Sequence, residues 1–305
     1  MLMEINILDN LFELFSSNKR LYWVYILSSI LIAYMYLLLN KRDKNIILNK
    51  KLWLNKSAIL DYKYFIISFF IKTIILLPII ISSKNITITI YEFLLNNFGF
   101  ISISMFSYIQ ITILYTISIF IINDFTRYIT HRLFHTIPFL WEFHKVHHSA
   151  KVLTPLTFYR VHPIENIIFA FRYSVSIGFV TGCFIYMFGS KISIIEIIGC
   201  SIFLFIFSII GSNLRHSHIK ISYPKVLEYI FISPFQHQLH HSTKYYNKNF
   251  GSYLAIWDTI FNTIKISKNI KISKESIKFG IYKKDFLNIY NILFKPFFKI
   301  KRKLI

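Results

Sequence analysis

Long apolar runs, separated by short polar segments, dominate this chain. Leu21 to Leu39 contains nineteen residues without a charge, enough for one membrane-spanning helix of about 20 residues. Further spans are expected at about 64–82, 103–122, 167–188 and 192–210. The second contains Lys72 and Pro78, and the last two contain Arg172 and Glu196. Ionisable residues are costly in lipid, so we expect these three helices to pack inward, tilt or span only partly.

The composition supports the same class of protein. Hydrophobic residues make up 54% of the 305 positions, more than the roughly 45–50% of soluble domains. Glu4, Asp9 and Glu13 lie among the first twenty residues, so no cleavable signal peptide is expected. Cys183 and Cys200 both fall in apolar spans, which indicates neither a disulfide framework nor a cysteine metal site.

The net charge of +21 first suggests a nucleic-acid partner. The basic residues instead flank the apolar spans, as the positive-inside rule expects, so we predict no nucleic-acid partner. The basic loop 41–63 and the tail after Lys268 are interpreted as cytoplasmic, next to anionic headgroups. If 192–210 returns the chain to that side, every histidine faces the cytoplasm. The membrane is the inner membrane in a bacterium or the endoplasmic reticulum in a eukaryote.

All eleven histidines lie between His131 and His241, and eight of them form three clusters. The clusters are His131 with His135, His144 with His147 and His148, and His237 with His240 and His241. Residues spaced by three or four positions share one face of a helix. Imidazole is the commonest metal ligand among side chains, so the spacing predicts a metal centre.

Each cluster falls on a predicted helix. Asp124 to His135 continues the third span, and Pro138 ends that helix. Trp141 to Ser149 forms a second short helix, and a third begins at Pro234 with Ser233 as its cap. All three helices are expected close to the membrane surface.

Eight to ten imidazoles are too many for one ion, so we predict two metal ions. Each ion would have three to five histidines and one open position, and sulfur-free nitrogen ligation favours iron. Affinity alone does not exclude zinc or copper. His216 and His218 are further candidate ligands. On a helix only one of them would face a metal, whereas on an extended segment both could.

Residues behind the ligands are expected to orient the imidazoles. The candidates are Asp124, Glu142, Glu165 and Asp258, with His162 as a further one. A salt bridge or a helix cap explains each carboxylate equally well.

Together these motifs resemble the fatty acid hydroxylase/sterol desaturase superfamily of integral membrane di-iron enzymes. The resemblance runs from Asp124 to about Thr263. Besides the three clusters it includes Leu140-Trp141-Glu142-Phe143, Arg160-Val161-His162-Pro163-Ile164-Glu165, Asn249-Phe250-Gly251 and Trp257-Asp258-Thr259-Ile260-Phe261. A histidine expected near Gly211 in that family is absent, and His216 or His218 supplies that ligand.

The resemblance implies an all-α fold, an integral membrane helical bundle of about four to five membrane helices capped by a cytoplasmic helical domain with a histidine-rich di-metal site. Residues 1–123 would form the N-terminal membrane region, 124–263 the catalytic region with a membrane hairpin at about 167–210, and 264–305 a basic cytoplasmic tail. The eight clustered histidines would be catalytic. The same eight, together with His216 and His218, would be the ten metal ligands.

The implied reaction is the oxidation of an unactivated C–H bond in a membrane lipid by reduced iron (Fe) and O2, giving an alcohol. The lipid is a sterol, a fatty acyl chain or a related molecule. A separate electron donor is expected, either cytochrome b5-like or ferredoxin-like with a reductase.

Three other functions compete with lipid hydroxylation. A desaturase would use the same di-iron site, and nothing in the histidine clusters distinguishes it. A metal transporter or a haem-binding subunit is disfavoured because no histidine lies inside a predicted span. A non-catalytic metal- or lipid-binding membrane protein is disfavoured by the complete clusters.

Overall fold

The chain is mostly helical, as predicted. The computed structural model describes residues 13–101, 103–270, 277–281 and 284–304, and for 72–82, 269 and 304 it describes the backbone alone. The predicted interruptions at Lys72 and Pro78 therefore lie outside the described side chains. Glu4, Asp9 and part of the basic tail lie outside the described residues.

The described chain contains both long and short helices. The α-helices are α1 (Trp23–Leu39), α2 (Lys50–Trp53), α3 (Lys56–Phe98), α4 (Tyr108–Thr136), α5 (Pro138–His148), α6 (Pro163–Phe188), α7 (Ile202–Ile209), α8 (Lys225–Glu228), α9 (Pro234–His240), α10 (Ile256–Ile260) and α11 (Ile289–Leu304). Short 3₁₀ helices lie at Lys44–Leu48, Pro155–Tyr159, Ser212–His216 and Ser267–Asn269. Two strands, β1 (Glu196–Ile197) and β2 (Cys200–Ser201), form an antiparallel hairpin.

Helices α3, α4 and α6 pack side by side and place the histidines at one end. The α4 and α6 axes are antiparallel, because Tyr115 contacts Thr181 whereas Thr126 contacts Ser176, each through hydroxyl oxygens 2.8 Å apart. The α3 helix runs parallel to α6. The carboxyl end of α4 and the amino ends of α3 and α6 therefore lie together, and the histidine-bearing segments pack there.

Two glycines bring α3 and α6 into close contact. An added Cβ at Gly178 would lie 2.7 Å from Ile86 Cγ2 and 2.9 Å from the Ser83 carbonyl oxygen. An added Cβ at Gly182 would lie 2.9 Å from the Thr87 carbonyl oxygen. The spacing of four residues places both glycines on one face of α6, as in membrane helix pairs built on small residues.

By length and composition, α4 with 29 residues and α6 with 26 residues can each cross a membrane. The α4 helix contains residues 108–122 of the predicted span 103–122, and α6 contains all of 167–188. Both helices extend to the histidine end of the bundle. The first predicted span is the apolar helix α1, which has 17 residues. Residues 64–82 lie within the 43-residue α3.

The predicted fifth span at 192–210 is wrong. Its first half is the β1–β2 hairpin, and its second half is α7, whose eight residues extend only about 12 Å. Ile198 and Gly199 both have positive φ, at 51° and 73°, as a two-residue hairpin turn requires. The Ser17 hydroxyl donates to the Ile198 carbonyl at 2.6 Å and fixes this turn against the N-terminal segment.

The C-terminal helix α11 braces α5. Phe297 contacts Phe143 with ring centroids 5.3 Å apart, and Lys303 pairs with Glu142 at 2.7 Å. Ile292 is fully buried in a cluster that contains Val146 of α5. The helix that presents three of the clustered histidines is therefore supported from behind by the basic tail.

We predict that Gly178→Ala lowers the free energy of unfolding by about 1–3 kcal/mol, because the new methyl group overlaps a backbone oxygen of α3. Thermal unfolding of the purified protein in detergent measures the effect. Phe179→Leu, at a half-exposed neighbour on α6, is the control and should change stability little. Equal stability of both variants would contradict close packing of α3 on α6.

Candidate metal centre

Four elements bring the histidines together. His131 and His135 lie on the last turns of α4, and Ile137 alone separates that helix from Pro138, the first residue of α5. The first helix ends before Pro138, as predicted, and the tight corner folds α5 back against α4. His216 ends the 3₁₀ helix Ser212–His216. The third cluster lies on α9, where Ser233 is the cap, as predicted, and forms a capping box with Gln236.

Nine of the eleven histidines form two groups of converging imidazoles. Group one consists of His131, His135, His144, His148 and His240. Group two consists of His147, His216, His237 and His241. Within each group the candidate ligand atoms all lie within 4.8 Å of one another.

The spacing of the ring nitrogens suits a shared ion. In group one, His144 Nε2 lies 3.1 Å from His131 Nε2 and 3.2 Å from His148 Nε2. In group two, His216 Nε2 lies 3.0 Å from His241 Nε2 and 3.2 Å from His237 Nε2. Two nitrogens that are each ~2.1 Å from one ion lie roughly 3.0–3.4 Å apart at ordinary ligand angles.

The two groups adjoin each other. His148 of group one and His241 of group two stack with ring centroids 4.7 Å apart. His147 and His148 are neighbours on α5 yet belong to different groups, because successive helical residues point about 100° apart. One short helix thus supplies both groups.

The opposite ring nitrogen, Nδ1, is fixed in five of these imidazoles. It donates to a carbonyl, amide or carboxylate oxygen, which leaves Nε2 free as a ligand. The acceptors are Phe250 O for His131 at 2.8 Å, Asn247 Oδ1 for His135 at 3.3 Å, Glu165 Oε1 for His144 at 2.8 Å, Arg160 O for His147 at 3.2 Å and Lys248 O for His240 at 2.8 Å.

Burial keeps these imidazoles neutral. It lowers the pKa of His144 to about 3, and burial together with the charge of His144 lowers the pKa of His147 to about 3. Metal ligation requires the neutral form. The Nε2 atoms of His135 and His240 are buried and have no hydrogen-bond partner among the described residues. Such orphaned atoms suit an ion, so the residues present fit a metal centre.

Glu165 is the carboxylate that contacts the centre. It lies in the first turn of α6 and accepts from His144 Nδ1 at 2.8 Å, with both side chains buried. A carboxylate in this position fixes the tautomer and raises the basicity of the ligating nitrogen.

The other predicted orienting residues have different partners. Asp124 accepts from the amides of Tyr253 and Leu254 and from Trp257 Nε1. Glu142 pairs with Lys145 and Lys303.

His162 caps α6, since its Nδ1 accepts from the Ile164 amide at 3.1 Å. Asp258 accepts from the Phe250 amide at 2.8 Å, while the Phe250 carbonyl receives His131 Nδ1. Asp258 therefore positions a peptide that holds a histidine, without touching the imidazole itself.

The structure does not bring His218 to either group. Its Nε2 donates to the Ile46 carbonyl at 2.6 Å, and its ring packs edge-on against Trp53. The 3₁₀ helix ends at His216 and Ser217 is extended, so the chain changes direction between the two histidines. Of the two alternatives that the sequence left open, the geometry favours His216 alone.

Sequence reasoning missed the loop that holds group one. Asn247, Lys248 and Phe250 supply three of the five Nδ1 acceptors. Asn249 shapes this loop, because it adopts a φ of +59° and its side-chain amide donates to the Gln236 and Lys265 carbonyls. An asparagine followed by Phe-Gly was a usable signal, since Asn tolerates positive φ.

Known proteins resemble the segment that builds this centre. The fatty acid hydroxylase family model matches residues 116–263. An ornithine lipid hydroxylase of Rhizobium tropici is 30% identical over 145 residues, which are 47% of this chain and 39% of that protein. An alkylglycerol monooxygenase of Caenorhabditis elegans is 26% identical over 149 residues, 48% of this chain and 26% of that protein. No solved structure matches the chain at a significant level.

The match therefore spans less than half the length of these relatives. The segment that matches the family model begins within α4, ends just after α10 and includes all eleven histidines. The two long apolar helices and the lipid-hydroxylating relatives together indicate a membrane protein. Residues 116–263, just under half of the chain, are therefore a fatty acid hydroxylase domain.

Proposed function

We propose that this protein is an O2-dependent di-iron hydroxylase that oxidises an unactivated C–H bond of a membrane lipid. The observation that carries the proposal is the pair of adjacent imidazole groups, with five and four members, at one end of an apolar helical bundle. Both relatives are named for the oxygenation of lipids, which favours hydroxylation over desaturation.

Iron suits the ligand set better than other common metals. The nine candidate ligands are all nitrogen, and neither described cysteine lies in a group. A structural zinc site has four closed ligands and often uses sulfur. Two adjacent nitrogen-rich sites, with room for oxygen, match the preferences of iron.

When bound, the iron pair would supply the oxidising power that inserts one atom of O2 into a C–H bond. The balanced reaction consumes the lipid, O2, two electrons and two protons, and releases the alcohol and water. The electrons must come from outside this chain, so we propose a separate one-electron carrier, cytochrome b5-like or ferredoxin-like with a reductase. The active site would face the cytoplasm.

The protein's own residues hold and shield the centre. The Nε2 atoms of the nine histidines would bind the ions, while Glu165 and the loop carbonyls fix the rings from behind. Trp141 stacks on Tyr246 with ring centroids 5.4 Å apart and lies 4.8 Å from His135. This aromatic pair packs against group one, where it would shield the bound ion from water and so strengthen the electrostatic interactions inside.

Metal content tests the ligand set. We predict two iron ions per chain in the protein purified from iron-supplemented cells, measured by mass spectrometry of the metal. His240→Ala and His241→Ala each remove one ligand and should lower the iron content toward one ion or less. His218→Ala is the matched control and should retain two ions, because its ring contacts Ile46 and Trp53 instead. An equal loss of iron in all three variants would contradict the assignment of the ligands to these two groups.

Glu165 is expected to support His144 without binding metal. We predict that Glu165→Gln weakens iron retention or activity by about 10–100-fold, since a ligand loses its charged partner. Glu92→Gln is the control, because Glu92 is exposed near the end of α3 that lies away from the histidines. Iron release to a chelator measures the difference, and equal release rates would argue against the role of Glu165.

Lipid analysis tests the reaction itself. Total lipids are compared by mass spectrometry in aerated cells that express the chain or its His147→Ala variant. We predict a lipid that gains one oxygen atom only with the intact site. A lipid that loses two hydrogens would identify a desaturase instead. No difference, with iron and a working electron donor confirmed, would refute oxidation of the lipids of that host.

A further inference from the structure

Four arginines surround the histidine groups without a carboxylate partner. Arg20, Arg127, Arg172 and Arg215 form no ion pair among the residues that the structure describes. Arg160, by contrast, pairs with Asp61. Arg215 is buried, and the other three are partly buried. A charge shielded from water is normally paired because an isolated one is costly, so guanidinium groups without a carboxylate partner require an explanation.

Arg127 lies nearest to the centre along α4. It precedes His131 by four residues, so the two share a helix face and are separated by about 6 Å along the axis. Its guanidinium lies 5.7 Å from the ring centroid of Phe169 on α6. Within the described part of the chain it makes no hydrogen bond. Its five donors are therefore available to a ligand.

Arg172 lies on α6 and contacts the part of α4 that carries Arg127. It donates to the Asn123 carbonyl and side chain and to the Thr126 hydroxyl, at 2.9, 2.7 and 2.8 Å. These partners lie on the α4 turn next to Arg127. The buried Nε of Arg172 has no partner among the described residues. A second guanidinium with a free donor is thus held beside the first.

Arg20 and Arg215 approach from the side of group two. Arg215 directly precedes His216, donates to the Ser252 carbonyl and lies 5.2 Å from the Tyr253 ring. Arg20 Nη2 lies 3.5 Å from His216 Nδ1, and its Nε donates to Asn213 at 3.0 Å. Both arginines are held in place by neutral groups.

One carboxylate, Asp124, interacts through its charge with Arg127, Arg172 and Arg215, so a single anion faces several cations. Burial, followed by the charge of Arg215 and also that of Arg127, lowers the pKa of Arg20 to about 9. Asp124, the carboxylate closest in sequence to Arg127, already accepts from two amides and Trp257. Metal ions bound by neutral imidazoles would add further positive charge. An anion is the simplest missing component.

We propose that these arginines bind an anionic group, a phosphate or carboxylate, on the head of the lipid substrate, with Arg127 as its main contact. This inference rests on the proposed function and names the class of lipid that the site takes. A guanidinium fork matches the oxygens of both anions in a bidentate manner. Three of the guanidinium groups donate to fixed protein groups and contribute mainly their positive charge; they are those of Arg172, Arg215 and Arg20. The hydrogen-bond donors of Arg127 are free to bind the anion.

Lipid retention tests the proposal without any catalysis. The full chain in detergent is incubated with equal amounts of dioleoylphosphatidylglycerol and dioleoylphosphatidylcholine, and the bound lipids are counted by native mass spectrometry. We expect the anionic lipid to be preferred about tenfold, and Arg127→Gln to abolish that preference. Arg42→Gln is the matched control, because Arg42 is exposed and lies beyond the end of α1.

Several results would overturn the proposal. One is equal retention of both lipids by the intact chain, and another is an equal loss of the preference in both arginine variants. A third is binding of inorganic phosphate to the intact chain that neither lipid displaces. Iron content and thermal unfolding of Arg127→Gln are measured in parallel, and Arg127→Lys should recover part of the preference if the variant is folded. The assay needs neither O2 nor electrons, so selective binding without oxidation would refute the proposed function alone.

Discussion

The centre depends on one constraint: each of the converging imidazoles must direct a bare nitrogen, and not an N–H, toward its neighbours. Ring nitrogens only 3.0–3.4 Å apart would repel one another if all of them were protonated. Burial favours the neutral ring, and an acceptor behind Nδ1 selects the tautomer with Nε2 free. Much of the surrounding fold serves to place those acceptors.

This requirement explains why so much irregular backbone lies near the site. Three of the five Nδ1 acceptors are backbone carbonyls, and helices and sheets use their own carbonyls internally. Arg160 lies just after a 3₁₀ turn, and Lys248 and Phe250 lie in the loop after α9. The regular helices supply the imidazoles, and the loops supply the groups that orient them.

The sequence predicted the parts of this arrangement that are encoded by residue type and spacing. The histidine clusters and Pro138 predicted the helices that carry them, and the apolar runs at 103–122 and 167–188 predicted α4 and α6. The acceptor carbonyls could not be predicted, because every residue has one. Glu165 was one of four equivalent carboxylates until the fold brought it to His144.

The error at 192–210 has a related cause. Hydropathy records that a segment is apolar, but it does not record the backbone conformation. Gly199 next to Ile198 permits a tight hairpin, and the N-terminal segment fixes that turn through Ser17, which is 181 positions away. The chain therefore returns to the histidine end through a hairpin and a short helix. A contact between distant parts of the chain favours this hairpin over a continuous spanning helix.

A ligand set without charge has a further consequence for the proposed chemistry. Neutral imidazoles cancel none of the charge of a bound ion, the carboxylate of Glu165 behind His144 offsets only part of it, and the four arginines add to it. Positive surroundings favour the reduced state of a metal, because gaining an electron lowers the local charge. They also favour a negatively charged group beside the metal. The same positive charge would therefore favour the reduction of an iron pair and would also bind the anionic head of a lipid. Reduction and substrate binding would then depend on one property of the site.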